Sequence, residues 1–452
     1  MTAVPREDGL LRRTLLNLGW LLAGKGVGAV LSLIYLGLAV RTLKSHGFGQ
    51  FTLVFGTAQA IAAVVSFQTW QIIIRYGVNH VATHNKGALA RLAGFCIGLD
   101  VGGAVAGCFV AWGGVTLLAP LLGWPDGLSH AALAFCFVML LSVRSTAVGL
   151  LRLHDRFGVG AMADAVTPIA RFIGALAAVM WDRTVTGFLL AWAVADIITA
   201  IAYWTCTVRV MPRALPWAEL RQGWRAPLEN PGIWRFAWLT NLNSIIGTGC
   251  NNMVVIVVGI ATGAADAGHY RLAYQLSQAL VRVSEMFSRA VLPELARAHA
   301  SQALDSIRML LRKSTGLAIG ATLVLALALA AFGRPVLQLV AGHASLVAFP
   351  LLVALGIAAS LDLIGVSFEP ALIATGHAGQ ALKVRVARTC VLFAALALLI
   401  PHAGIKGAAW SMLISSAVGL ALSGMTVWRA VATSKHAAIP PSGAASSPTD
   451  PA

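Results

Sequence analysis

Long apolar runs, broken at short intervals by charges and turn residues, pattern the whole chain. Each run is close to the roughly 20 residues that a helix needs to cross a bilayer core. Twelve can be delimited: 14–40, 48–74, 90–118, 130–151, 158–181, 185–208, 233–260, 268–293, 310–332, 346–373, 380–400 and 404–429. The pattern predicts an all-α integral membrane protein of about 12 transmembrane helices, because a spanning helix satisfies its backbone internally. The first run follows Arg12 and Arg13. It is too long for a cleaved signal peptide and is expected to be retained as an anchor.

The longest connection, 209–232, holds Pro212, Pro216, Pro227 and Pro231 with Trp217 and Trp224. It reads as an interfacial linker between two halves. The expected organisation is a cytoplasmic N-terminus (1–13), a six-helix lobe (14–208), the linker (209–232) and a second six-helix lobe (233–431). A tail rich in Pro, Ser and Ala follows (432–452) and is expected to be disordered.

Composition narrows the classes. Of 452 residues, 58% are hydrophobic and only 11% are charged, whereas a soluble domain carries about a quarter charged residues. A soluble enzyme, a disulfide-rich secreted scaffold and a single-pass receptor are excluded. The formal net charge of +16 could signal nucleic acid, but its distribution says otherwise. With the N-terminus inside, twenty-two of the 33 Lys and Arg residues fall on the cytoplasmic side, five opposite and six within spans. That bias places both ends in the cytoplasm, and no nucleic-acid partner is expected.

The six cysteines lie in apolar runs without a CxxC pair and read as small packing residues, not as a metal site or disulfides. His80 and His84 are spaced i,i+4 but lack the Glu of a zinc-protease motif and read as solvated. Gly19 to Gly24-Lys25 resembles the start of a phosphate-binding loop, yet Gly26 replaces the required Ser or Thr and the segment lies in a span. No ATP, metal or other cofactor is expected.

The two halves match at a shift of about 219 residues. Gly49-Gln-Phe51-Thr-Leu53 corresponds to Gly268-His-Tyr270-Arg-Leu272, and Gln59 to Gln278. Ala170-Arg171 resembles Ala387-Arg388, and Gly187 with Trp192 resembles Gly407 with Trp410. Six helices per half is an even number, so the pseudo-repeats are parallel, and such transporters place substrate in a central cavity between them.

Asn17, Gly24, Ala39-Val-Arg41-Thr-Leu43 and Phe48-Gly49-Gln-Phe51 resemble the opening of Wzx-type polysaccharide flippases, members of the multidrug/oligosaccharidyl-lipid/polysaccharide exporter superfamily. Gly268 to Tyr270, Pro293 and Gly404-Ile-Lys-Gly407-Ala-Ala continue the resemblance, while Lys44 stands where that family usually has Gly. The resemblance implies a bacterial inner-membrane transporter in which helices 1, 2, 7 and 8 line the cavity.

Ionisable side chains within spans are costly and mark interior surfaces. In the eighth run Arg271, Gln275, Gln278, Arg282, Glu285 and Arg289 share one helical face, a stripe of about 27 Å. Lys25 lies in the first run. Gln68, Gln71 and Arg75 end the second, and Asn241, Ser244, Thr248 and Asn251 share a face of the seventh. Read alone, the polar sets of the first, second and seventh runs could hydrogen-bond between helices; the resemblance makes them cavity lining. Lys25, Arg75, Arg271, Gln275, Gln278, Arg282, Arg289, Asn241 and Asn251 are the candidate substrate-binding residues. Glu285, Asp362 and Glu369 are candidates for charge balance or for coupling to a proton or sodium ion. Asp100, Asp164 and Asp196 with Arg144 and Arg171 read as structural ion pairs, with Asp164 and Arg171 two turns apart on one face.

A cationic cavity suits a polyprenyl-diphosphate-linked oligosaccharide, because Arg and Lys meet diphosphate oxygens through charge-assisted hydrogen bonds. The expected function is flipping this lipid to the periplasmic leaflet for polysaccharide or lipopolysaccharide biosynthesis, alongside membrane lipids and other polysaccharide-assembly proteins. It is a transport function, not an enzyme's. The alternatives are a cation-coupled multidrug extruder of the same fold, which a basic cavity disfavours, and a membrane glycan polymerase or ligase, which the short outer loops disfavour. The topology is directly testable. Single-cysteine labelling at Asp126, Arg183 and His343 should report the periplasm, and at Lys86, Arg221 and Lys313 the cytoplasm; the reverse pattern contradicts the orientation.

Overall fold

A computed structural model describes residues 7–210, 217–279, 331–365 and 378–437, with isolated positions between 316 and 329 and at 368; side chains are described from Gly28 to Arg429. Arg282, Glu285 and Arg289, the far end of the polar stripe, therefore lie outside the described residues.

Eight helical stretches among the described residues are long and apolar enough to cross a membrane, and two of them, Gly28–Ala82 and Gly379–Arg429, run for 55 and 51 residues. At 1.5 Å per residue each would exceed ~75 Å if straight, against a ~30 Å hydrocarbon core, so each has length for two crossings. Large apolar side chains such as Phe109, Leu117, Ile173, Leu190 and Ile201 are exposed along the helices, as lipid-facing positions require.

The first helix, α1 (Glu7–Val65), leaves helical geometry at Lys44, with φ 56° and ψ −177°. Tyr35 and Phe51 both pack edge-on against Trp192, at ring-centroid distances of 5.3 and 5.2 Å. A straight helix would hold residues 16 apart about 24 Å from one another. The chain therefore reverses at Lys44, and the two arms of α1 are the first two runs of the sequence. Lys44 occupies a backbone region that is almost confined to glycine. At the repeat shift its counterpart is Gly263, at φ 98°.

The helices that follow are α2 (Thr69–Ala82), α3 (Lys86–Leu121), α4 (Asp126–Leu141), α5 (Ser145–Leu153), α6 (Phe157–Trp181) and α7 (Val185–Val210). After the linker come α8 (Ile233–Ser244), a π turn (Ile245–Gly249) and α9 (Cys250–Thr262). Residues 264–279 form α10. Then come α11 (Phe349–Ile364) and α12 (Ala378–Ala437), which leaves helical geometry at Gly404.

Two runs expected to be continuous are broken, at 66–68 and 142–144. Neither break contains Gly or Pro, so local propensity does not cause it. Side chains from distant helices satisfy the freed carbonyls: Asn241 Nδ2 donates to Val64 O at 3.3 Å and Trp204 Nε1 to Val143 O at 2.8 Å. Such partners are what allow irregular backbone at membrane depth.

The linker packs on α3. Arg91 bonds to Glu219 and, at 2.7 Å, to Glu229. A Cβ at Gly94 would lie 2.0 Å from Leu220 O, so only glycine admits this approach. His80 is not solvated: it is buried and meets Asn230 Oδ1 at 3.0 Å. Of the cysteines, Cys96 and Cys136 are buried, and Cys390 is exposed.

The repeat has a physical contact at its centre. A Cβ at Gly49 would lie 1.8 Å from Ala264 O, and one at Gly268 would lie 3.1 Å from Gly49 Cα. The two glycines matched by the 219-residue shift thus pack on each other where the second arm of α1 crosses α10.

Packing groups the chain into two units. One comprises Met1–Leu276, Phe332–Leu351 and Ile400–Ala408; the other comprises Ser277–Ala331, Leu352–Leu399 and Ala409–Ala452. Within the second, Arg388 pairs with Asp362 at 2.7 Å and donates to Ser416 Oγ at 3.1 Å.

Lys44→Gly should relieve the strained turn and stabilise the protein by about 1 kcal/mol. Thermal unfolding in detergent checks this; an unchanged or lower transition contradicts the strain.

Candidate functional site

The π turn sets the geometry of the site. Asn252, just after it, donates its Nδ2 to Thr248 O at 2.9 Å. That leaves Asn252 Oδ1 free to accept from Arg271 Nη1 of α10 at 3.2 Å. The Arg271 guanidinium carbon lies 5.8 Å from the centre of the Phe55 ring, on the second arm of α1. Arg171 of α6 approaches the same ring at 5.5 Å and Trp192 at 5.9 Å. One aromatic side chain therefore has two guanidinium groups against it.

Among the described residues the charges here do not balance. Asp196 of α7 is 3.2 Å from Arg171 Nη2 and 3.6 Å from Arg144 Nη1. Arg171 Nε is buried without a hydrogen-bond partner among the described residues. Among those residues, too, no carboxylate lies within ion-pair distance of Arg271. Among the described residues two arginines thus share one acidic partner, and the Arg271 guanidinium is held by a neutral amide and a ring face. Such a group can accept an anion without first breaking an ion pair.

The remaining candidates are placed as follows. Asn241 is buried against the end of α1, and Gln68 Nε2 donates to Ser244 Oγ at 3.1 Å. Asn251 is half-buried, and the amide that reaches Arg271 belongs to its neighbour Asn252. Gln275 and Gln278 are half-buried on α10 beyond Arg271. Arg75 is exposed on α2, with its guanidinium 4.4 Å from the centre of the Phe236 ring. Asp362 is engaged by Arg388. The Lys25 side chain, Arg282, Glu285, Arg289 and Glu369 lie outside the described residues. Among the described residues Asp164 forms no ion pair with Arg171, which pairs with Asp196; Asp164 accepts a hydrogen bond from Tyr203. Sequence reasoning missed Asn252; Arg144, Arg171 and Asp196 form the structural ion pairs expected of them.

A profile of the polysaccharide biosynthesis protein family matches residues 14–299. The chain belongs to this family. Inner membrane protein YghQ of Escherichia coli K12 is 29% identical over 353 residues, covering 76% of this chain and 97% of its own. Two solved structures show the fold of this polysaccharide biosynthesis protein. Lipid II flippase MurJ, in an inward closed conformation, aligns with a TM-score of 0.68 at 10% identity over 91% of this chain and 89% of its own. An inward-facing multidrug resistance MATE family transporter of the MOP superfamily gives 0.66 at 14% identity over 89% and 96%. The family member described here is thus a multi-helix membrane protein with the all-α fold of MOP-superfamily transporters.

Asp196→Ala would leave two arginines without their carboxylate, and should destabilise the protein by about 3–5 kcal/mol. Arg271→Ala should leave the unfolding transition nearly unchanged. Thermal unfolding in detergent compares the two; equal losses contradict the division between paired and spare arginines.

Proposed function

We propose that this protein flips a polyprenyl-diphosphate-linked oligosaccharide from the cytoplasmic to the periplasmic leaflet of the bacterial inner membrane. Membership of the polysaccharide biosynthesis family and the fold shared with a lipid II flippase support the reading. The observation that carries it is Arg271 on α10, a guanidinium in the eighth apolar run of the sequence with no carboxylate beside it among the described residues. Diphosphate oxygens supply the missing anion through charge-assisted hydrogen bonds. The oligosaccharide occupies the polar interior with the diphosphate, and the lipid tail stays in the bilayer. No bond is made or broken; two states with different access suffice.

In this reading Lys25, Arg75, Arg282 and Arg289 extend the cationic lining, while Gln275, Gln278, Asn241 and Asn251 offer neutral hydrogen bonds to sugar. Glu285 balances the charge of Arg282 and Arg289.

Loss of the protein should leave lipid-linked repeat units on the cytoplasmic leaflet and reduce surface polysaccharide. At matched membrane levels, Arg271→Ala should lower export about tenfold or more, the scale of a hydrogen bond to a charged group. Arg271→Lys should restore part of it, because Lys keeps the charge without the planar fork. Normal export by Arg271→Ala contradicts the mechanism. Normal polysaccharide with altered drug tolerance in the deletion strain identifies an extruder instead.

A further inference from the structure

Asp100 lies near the middle of α3 and is 7% exposed. Among the described residues it has no cation within ion-pair distance. It is nevertheless fully used. Thr69 Oγ1 donates to its Oδ1 at 2.9 Å, and Thr146 gives Oδ2 both its backbone N–H at 3.1 Å and its hydroxyl at 2.7 Å. Thr69 is the first residue of α2 and Thr146 the second of α5. One carboxylate therefore pins the starts of two half-helices, each just after a break. A further bond ties the breaks together, from Trp70 N to Ser145 Oγ at 3.3 Å.

The half-helices form one body with their surroundings. A Cβ at Gly149 would lie 2.8 Å from Trp70 Cα, so α2 and α5 are in close contact. Ile72 and Ile73 of α2, Leu92 of α3, Leu150 of α5, Ala226 of the linker and Ile233 of α8 share one buried cluster. This body begins at the two breaks, and Asp100 sits at that boundary.

We propose that Asp100 is a proton-binding site, and that its charge holds the two helix breaks in the arrangement seen here. A buried carboxylate lacking a cation is costly in a membrane, and this one is stabilised by donors that fit its ionised form. Its oxygens and those of Thr69 and Thr146 are already at mutual hydrogen-bond distance, which leaves no gap for a metal ion. A proton from water adds to Oδ2 and converts the carboxylate to a carboxylic acid. The new O–H then needs an acceptor, the Thr146 hydroxyl must turn, and the Thr146 N–H loses its anionic partner. The pin on α5 weakens, and the body bounded by the breaks is released.

Most of the surrounding charged groups are engaged elsewhere. Arg144, at the second break, faces Asp196 of α7. Arg152 of α5 lies 4.8 Å from the centre of the Trp70 ring, and Arg75 of α2 stacks on Phe236. His80 of α2 meets Asn230, and Arg91 of α3 takes Glu219 and Glu229 of the linker. The linker also carries Arg221 and Arg225, the latter over Trp224. Cys96 and Cys108 of α3 and Cys136 of α4 are the titratable thiols nearby in these helices. The second arm of α1 carries no ionisable residue over 48–65, and α4 has otherwise only Asp126 and His130, in its first two turns.

That the release drives transport rests on the flippase reading; the proton site itself does not. The test is hydrogen–deuterium exchange on the purified full chain in lipid nanodiscs, from neutral to mildly acidic pH, corrected for intrinsic exchange. Peptides covering 66–70 and 142–147 should lose protection by about tenfold or more on acidification, the scale of a hydrogen bond to a charged group. Asp100→Asn should be weakly protected at every pH. Thr69→Val keeps the carboxylate but removes a donor to its ionised form, so the loss of protection should move to higher pH. Protection independent of pH in the wild type, or an unchanged transition in Asp100→Asn, overturns the proposal. Should Asp100→Asn fail to fold, an unmoved transition in Thr69→Val overturns it equally. A normal pH response in a protein whose loss leaves polysaccharide export intact refutes the flippase reading alone.

Discussion

A hydrocarbon core offers no partner to a stray N–H, carbonyl or charge, so each polar group buried in it must find one within the protein. The chain carries 33 Lys and Arg against 17 Asp and Glu, and three interior carboxylates among the described residues organise much of their surroundings. Asp196 gathers Arg144 and Arg171. Asp362 holds Arg388. Asp100 ties the starts of two half-helices to α3. Among the described residues Arg271 is left to an amide and a ring, and in the proposed function this lack of an acidic partner is what suits it to an anion.

The same constraint explains what could be read in advance. Spans are written locally, as apolar length, and most were legible. The repeat was legible because its contacts favour specific residues: Gly49 admits an approach to Ala264 O that any side chain would block, and a Cβ at Gly268 would crowd Gly49 at 3.1 Å. The helix breaks were not legible. Ser66-Phe67-Gln68 and Ser142-Val143-Arg144 carry no breaking residue, and their partners Asn241, Trp204 and Asp100 are remote in sequence. The π turn adds backbone that spacing arithmetic does not count, which is why that arithmetic selected Asn251 while Asn252 reaches Arg271. The burial of His80 depended on Asn230, 150 residues away.

Position within the repeat also separates scaffold from site. Arg171 and Arg388 occupy matching places, and each finds a carboxylate, but on different neighbours: Asp196 follows Arg171 in the chain, whereas Asp362 precedes Arg388. The halves keep the need for a counter-charge and solve it differently. Arg271 corresponds at the shift to Thr52, so this guanidinium belongs to one half only. In the proposed function, this asymmetric charge is what would hold an anionic head group at one place.

The central claim is that Arg271 recognises a diphosphate on a lipid. Its most direct test is binding of a short-chain polyprenyl diphosphate to the purified protein, measured beside the corresponding uncharged polyprenol. The account predicts that the wild type prefers the diphosphate and that Arg271→Ala loses this preference while remaining folded. Equal binding of both lipids by the wild type, or an undiminished preference in Arg271→Ala, contradicts it.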